Sequence, residues 1–479
     1  MSYETAVSRM FALGHELAQT PSHKFDLEHM RVLLAELGHP EGRFASVLIA
    51  GTNGKGSTAA TLASILRASG IKTGLYTSPH LLRMNERIRV NGAEIGDDEF
   101  AGLHKKVDSV AEGLVERGEL PWHPSFFEMM TAIAFEYFAQ ERVELAVLEV
   151  GMGGRLDATN VVEPLVSVIT DISLDHQKFL GDTVAEIARE KVGIIRPGGV
   201  VVTLPQLPEA NDVIGNAVME LGARAVNAVP YVPPVSPGSG EYFRTTSKPF
   251  NAENAEVAEK DRVGHLYRYP LEVMGREILV ETSLVGRHQL RNVALAIAAA
   301  VELSVRFSGI TAETIERGIR ETRWPGRFQE IAIPGWPEIV LDVAHNPAGA
   351  WALRSALSER YPDRRLIFVF GAMRDKAIAE MTEILFPLAE SVVVTRAENP
   401  RSASPEEIRT AAARTRVEIV SAADVEAALA AAKTRAGADA VVVITGSIYL
   451  VGEAMRVLDR VLAPHARSLA SPEERLRSG

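Results

Sequence analysis

Ile49-Ala50-Gly51-Thr52-Asn53-Gly54-Lys55-Gly56-Ser57-Thr58 is the stretch whose reading decides the rest of this chain. The apolar run Val47-Leu48-Ile49 before it reads as a buried strand, and the Ala/Leu-rich segment Ala59 to Ala68 after it reads as a helix. A strand, a glycine-rich turn, a lysine with hydroxyls and then a helix make a phosphate cradle. Glycines let backbone N–H groups converge on an anion, and the helix N-terminus adds partial positive charge. Lys55 is placed to reach outer phosphates, and Ser57 or Thr58 to coordinate Mg²⁺. The strict G-x-x-x-x-G-K-[ST] pattern is not met. Ile49 stands where its first glycine belongs, and Gly56 separates Lys55 from Ser57. The flanking strand and helix favour the cradle over an ordinary turn.

The chain has 479 residues, 46% of them hydrophobic, which is too long for one core and implies two domains. Its formal net charge of -11, with no local basic stripe, argues against a nucleic-acid partner. Cysteine is absent, so disulfides and thiolate metal sites are excluded and any metal must sit on oxygen or imidazole. Met1-Ser2-Tyr3-Glu4-Thr5 shows no basic segment leading into an apolar one, so no secretory signal is expected. The longest apolar stretch, Ala294 to Val301, is too short to cross a bilayer. A cytoplasmic protein without membrane contact is the expectation.

Apolar runs rich in β-branched residues alternate with helical patterns. Thr73 to Thr77, Leu145 to Val150, Val166 to Thr170 and Val200 to Thr203 read as strands, with helices such as Phe126 to Ala139 and Val184 to Ile194 between them. Ile339 to Val343, Leu366 to Phe370, Ser391 to Thr395 and Val441 to Thr445 repeat the theme. This is the pattern of βαβ units and a parallel sheet. The expected fold class is α/β: an N-terminal P-loop ATPase domain over residues 1–322, with a mostly parallel sheet, and a smaller C-terminal Rossmann-like α/β domain over residues 323–479. Trp324-Pro325-Gly326-Arg327 is the expected hinge. Residues 229–262, with five prolines at 230, 233, 234, 237 and 249 and a charged run from Asn251 to Asp261, read as a mobile surface excursion. Leu266 to Tyr269 and Ile278 to Val280 read as a small antiparallel addition.

Polar groups recur at the C-terminal ends of these strands, where open α/β sheets bind ligands. Glu149 closes an apolar strand and runs into Gly151-Met152-Gly153-Gly154-Arg155. It is placed to hold Mg²⁺, or else to be satisfied by Arg155 in a turn. His176 follows the next strand and suits either a metal or a structural role. Thr77-Ser78-Pro79-His80-Leu81 opens a loop with Arg83, Arg87 and Arg89, which draws in anions or is simply solvated. On spacing alone Lys191, in a helix beside Arg189 and Glu190, is a solvated lysine. Asp342 lies near the end of Ile339-Val340-Leu341 and is a candidate polar ligand contact.

Eight stretches occur in order: Gly51 to Ser57, Thr77 to Leu81, Asn85 to Ile88, Leu148 to Asn160, Leu174 to His176, Glu190-Lys191, Trp324 to Arg327, and Asp342 to Pro347. Together they resemble folylpolyglutamate synthase/dihydrofolate synthase, a branch of the Mur ligase family, from about Lys24 to Gly446. The resemblance implies an ATP-dependent ligase. ATP phosphorylates the carboxylate of a folate or dihydropteroate, and glutamate attacks the acyl phosphate. It implies ATP contacts from Thr52, Asn53, Gly54, Lys55, Gly56, Ser57, Thr58, Asn292, Arg327 and Asp342. One Mg²⁺ would sit on Ser78 and Glu149 with the Ser57 hydroxyl. A second would involve His176 and Lys191, the latter as a CO₂-derived carbamate, which overturns the solvated reading. Lys55, Lys191 and His176 would form the catalytic group. Phe126, Phe127, Leu156, Asp157 and Ala158 would meet the pterin, although core packing explains the two aromatic rings equally well. A monomer is implied.

The sequence departs from the resemblance in three places. The 229–262 excursion is long, Asp26 stands where glycine is usual, and Ala377 stands where an acid is common. Two other readings remain. One is a Mur-type amino-acid ligase with a different carboxylate acceptor. The other is a P-loop switch or transport ATPase, which has no need of a second α/β domain carrying Asp342.

Overall fold

The computed structural model describes residues 1–14, 27–234 and 266–469. Asp26 and most of the 229–262 excursion lie outside the described residues; its first part, Val229–Tyr231, is a short 3₁₀ turn. Two compact units are present. One ends at Arg323, and the other takes up at Trp324 and also includes Thr282–Arg287.

The first unit holds an eight-stranded sheet. Its strands are β1 (Ala45–Ala50), β2 (Thr73–Tyr76), β3 (Ile88–Val90), β4 (Ala93–Glu94), β5 (Leu145–Glu149), β6 (Val166–Ile169), β7 (Val200–Thr203) and β8 (Arg224–Asn227). Their order is β4-β3-β2-β5-β1-β6-β7-β8. The strands from β2 to β8 are parallel, and β3 and β4 add an antiparallel edge. Val47, Leu48 and Ile49 are fully buried, as strands covered on both faces require. Each such side chain contributes about 2 kcal/mol of transfer free energy. The chain passes from β5 on one side of β1 to β6 on the other, so β1 marks a topological switch point. A ligand crevice is expected beyond the C-terminal ends of β5, β1 and β6.

The helix Lys55–Ala68 is buried from Gly56 to Leu66, so it is an internal helix rather than a surface one. A neighbouring helix approaches it closely at Gly318, where a Cβ would stand 2.3 Å from the Cα of Ile65. The helices Asp97–Glu116 and Phe126–Gln140 pack with the N-terminal helix Tyr3–Ala12 in the main core of this unit.

β9 (Tyr267–Val273) and β10 (Arg276–Thr282) form a two-stranded sheet, longer than the sequence suggested. The second unit carries β11 (Gln329–Ile331), β12 (Glu338–Leu341), β13 (Leu366–Phe370), β14 (Ser391–Val394), β15 (Glu418–Ser421) and β16 (Val441–Thr445), in the order β11-β12-β16-β13-β14-β15. Only β11 runs antiparallel. The α/β class and its two sheets therefore follow the reading from sequence. Among the described residues, no helix is long and apolar enough to cross a membrane.

Candidate active site

The phosphate turn leaves the end of β1 and is pinned from β6. The amides of Thr52 and Asn53 donate to the carbonyl of Asp171, at 2.9 and 3.1 Å. The hydroxyl of Thr52 donates to Ser173 O at 3.0 Å, and Asn53 Nδ2 donates to Ser173 Oγ at 3.2 Å. Arg291 clamps the Asp171 carboxylate at 2.6 and 3.2 Å. These two amides thus fix the shape of the turn. The first-turn amides that follow, to Ser57, have no intrahelical acceptor and remain suited to an anion. Gly54 caps this helix in the left-handed region, at φ 91°. A Cβ there would stand 2.1 Å from Asn292 Oδ1, so only glycine fits. That approach brings Asn292 onto the turn, while its Nδ2 donates to Gln289 at 2.9 Å. Ser57 and Thr58 are buried, and Thr58 Oγ1 has no hydrogen-bond partner among the described residues.

Two lysines converge on one carbonyl of this turn. Lys55 Nζ donates to Gly51 O at 3.2 Å and to Thr52 O at 3.3 Å. Lys191 Nζ donates to the same Gly51 O at 2.8 Å. Lys191 is 3% exposed, so the solvated reading from spacing fails. The helix Val184–Val192 places it on the buried stripe with Ile187 and Ala188. Burial, and then the charge of Lys55, bring its amine down from 10.5 to about 7, against the opposing pull of Asp175 and Asp157.

Glu149 ends β5 directly beside Ile49 of β1. Its buried carboxylate accepts from the backbone N of Ser78 at 3.2 Å, so Ser78 and Glu149 are together. Arg155 pairs instead with Glu190, at 2.9 Å, and does not account for Glu149. The Ser78-Pro79 peptide is cis. Nearby, Arg87 Nε donates to His80 Nδ1 at 2.8 Å, and the Arg87 guanidinium lies 5.3 Å above the Phe126 ring. His176 sits at φ 51°, and its backbone N donates to Asp175 Oδ1 at 2.8 Å.

Among the described residues, no three His, Asp or Glu side chains gather as a ready metal cluster. The donors present are the Glu149 carboxylate and the Ser57 and Ser78 hydroxyls. One carboxylate and hydroxyl oxygens beside a phosphate turn fit Mg²⁺, which takes its remaining ligands from phosphates and water.

Asp157 is buried and heavily engaged. Oδ2 accepts the amides of Gly151 and Met152, both at 3.0 Å, and Oδ1 accepts the amide and hydroxyl of Thr159, at 3.0 and 2.5 Å. Burial raises its pKa, with those bonds opposing. Its carboxylate therefore shapes the Gly151 loop. Leu156 is half-buried beside it, and Ala158 is buried. Phe127 packs against that loop: a Cβ on Gly151 would stand 2.6 Å from its Cζ. Phe126 stacks on Phe11, with centroids 6.1 Å apart. In the second unit, Asp342 Oδ2 accepts from the Phe328 amide at 2.9 Å and Oδ1 from the Ala344 amide at 2.8 Å. Burial raises its pKa against the charge of Arg327, which stands close by.

The sequence reading missed the Asp171–Arg291 clamp and Ser173. The position of Asp171, two residues after β6, was their only signal.

Residues 127–300 match the Mur ligase middle domain, and residues 326–448 match the Mur ligase, glutamate ligase domain. The chain is 35% identical over 434 residues to the dihydrofolate synthase/folylpolyglutamate synthase of Bacillus subtilis, covering 89% of this chain and 93% of that protein. It is 33% identical to the folylpolyglutamate synthase of Lacticaseibacillus casei, covering 96% of this chain and 99% of that protein. The chain belongs to the folylpolyglutamate synthase/dihydrofolate synthase family. Solved structures of such ligases superpose on it. The Mycobacterium tuberculosis folylpolyglutamate synthase complexed with ADP and AMPPCP does so with a TM-score of 0.78 and 30% identity, covering 95% of this chain and 98% of that one. Escherichia coli FolC in complex with DHPP and ADP gives a TM-score of 0.76 at 29% identity, covering 96% and 98%. This ligase thus matches both Mur ligase domains along one chain.

Proposed function

We infer that this chain is an ATP-dependent ligase. It adds L-glutamate to the carboxylate of dihydropteroate, of a tetrahydrofolate, or of both, through an acyl phosphate. The observation that carries this reading is the buried Lys191 amine on the phosphate turn, 2.8 Å from Gly51 O. A turn that binds phosphate for hydrolysis alone has no use for a second buried amine. A ligase that must activate a carboxylate beside ATP has to screen two anions, and that calls for divalent metal, which a carbamate on Lys191 would help to hold.

Residue by residue, the first-turn amides and Asn292 hold the phosphates, and Lys55 leaves its carbonyls to meet the outer one. Arg327 and Asp342 are carried over from the family resemblance as nucleotide contacts. Ser78, Glu149 and Ser57 would hold one Mg²⁺, which would supply electrophilic screening of the phosphoryl oxygens. His176 and Lys191, the latter as a carbamate, serve a second. An amine brought down to about 7 supports this assignment, because only a neutral amine takes up CO₂. Phe126, Phe127 and the Leu156-Asp157-Ala158 segment form the pterin side. With the carboxylate of Asp157 engaged by its own loop, the pterin meets mainly the aromatic rings and the backbone there. The first unit acts as the ATP-binding domain and the second as the ligase domain. The chain works as a cytoplasmic monomer on small molecules, without nucleic acid or membrane.

The deciding experiment incubates the protein with ATP, Mg²⁺ and glutamate, and with dihydropteroate or tetrahydrofolate in parallel. Product masses are then read. A gain of one or more glutamyl residues on either acceptor is the expected result. Glutamate transfer only to an unrelated carboxylate would favour the Mur-type alternative. ATP turnover with no acceptor dependence would remove the ligase reading.

A further inference from the structure

We propose that His29 is a positioning residue for the acceptor end of the reaction, clamping the start of the helix that carries Phe126 and Phe127. The inference rests on the reading above that these rings meet the pterin. His29 lies in the helix Leu27–Glu36 and is 8% exposed. Its Nδ1 stands 3.3 Å from Glu128 Oε1, and its Nε2 stands 3.1 Å from the backbone carbonyl of Trp122. A carbonyl oxygen only accepts. Glu128 also accepts: its Oε2 takes the amide of Ser125 at 2.8 Å and the Ser125 hydroxyl at 2.7 Å. Burial pushes this carboxyl up, but the hydrogen bonds from His29 and Ser125 outweigh burial and hold it below its ordinary value. It is therefore ionised, with no proton to offer.

Both ring nitrogens of His29 thus face acceptors. A neutral imidazole has one N–H and satisfies one of them; the imidazolium satisfies both. The indole of Trp122 lies over the ring, with centroids 5.4 Å apart at 33°, and an aromatic face favours a cation. The two contacts bracket Ser125, which is the N-cap of the helix Phe126–Gln140 and closes a capping box with Glu128. His29 therefore ties down the residue three before the cap and the residue three after it. Phe126 and Phe127 follow the cap at once. Phe127 packs over Gly151, where a Cβ would not fit, so a small rotation of the helix start moves its ring relative to the end of β5.

Steady-state kinetics on the full chain test this, with His29→Ala, His29→Gln, His29→Arg and Phe127→Ala. His29→Ala and His29→Gln are expected to raise the KM for the pterin acceptor that the parent uses about tenfold, the effect of losing one charge-assisted hydrogen bond. kcat and the KM values for ATP and glutamate should stay within about twofold. His29→Arg offers donors only and is expected to return most of the acceptor KM, whereas Gln sets its own oxygen against one acceptor. Where His29→Ala does not fold, the Arg and Gln variants decide. An unchanged acceptor KM, an equal rise in all three KM values, or Gln matching Arg overturns the clamp. Phe127→Ala separates the two failures. If it raises the acceptor KM while the His29 variants do not, the clamp alone is wrong. If it leaves the KM unchanged, the pterin assignment falls and takes the clamp with it.

Discussion

Lys191 offers the sharpest test of the site. Its amine lies at about 7, against the ordinary 10.5. At pH 7.5 roughly three-quarters of such amines are neutral, compared with about one in a thousand for an ordinary lysine. The neutral fraction available to CO₂ is thus raised several hundredfold. Carbon-13 NMR of the protein in ¹³C-bicarbonate should show a carbamate signal that grows as pH rises through 7. The signal should vanish in Lys191→Met. Lys191→Ala should be nearly inactive and partly recovered by added short carboxylates such as formate. The same displacement acts on stability. Between pH 7 and 10.5 the unfolded chain holds a proton on Lys191 that the unmodified fold does not. Stability therefore rises with pH across that window, by as much as about 5 kcal/mol. Urea unfolding in CO₂-free buffer should show a steeper rise for the parent than for Lys191→Met. A silent carbamate region together with full activity of Lys191→Ala would refute the reasoning.

Three further outcomes are expected. Lys55→Ala should abolish ATP-dependent glutamate addition while leaving the fold intact by circular dichroism; ligation at the parent rate would contradict the cradle. Gly54→Ala should lower stability by about 2–3 kcal/mol, from a left-handed backbone and a displaced Asn292 side chain. Urea unfolding of Gly54→Ala/Asn292→Ala should then recover at least about 1 kcal/mol relative to the sum of the single changes, and strict additivity would rule out the clash. Glu149→Gln should raise the Mg²⁺ concentration needed for half-maximal activity at least about tenfold, and an unshifted Mg²⁺ titration would remove Glu149 from the metal site.

The interior strands were legible because β1, β5 and β6 are buried on both faces, which makes them unbroken apolar runs. The turn after β1 was legible because its glycines have no other use in that setting. Lys191 was not. Its immediate neighbours, Arg189 and Glu190, suggest a wet helix face. The signal lay at longer spacing: Ile187 and Ile194 are fully buried, and Lys191 stands on the stripe they define. β3 was read as part of the loop after Thr77, although Asn91-Gly92 is a hairpin turn joining it to β4, with φ of 51° and 86°. Strands of three and two residues give no periodicity to detect. The His29 clamp joins residues 99 positions apart in sequence, which no local pattern reports.

The shared carbonyl of Gly51 makes the two amines interdependent. Neither can be deleted cleanly. Removing Lys55 takes away the cation that helps keep its neighbour proton-free, so a Lys55 variant carries a hidden second lesion at Lys191. Capture of CO₂ would put a negative charge on one member and so draw the cation of the other towards it. The turn would then be braced from within, before any nucleotide arrives.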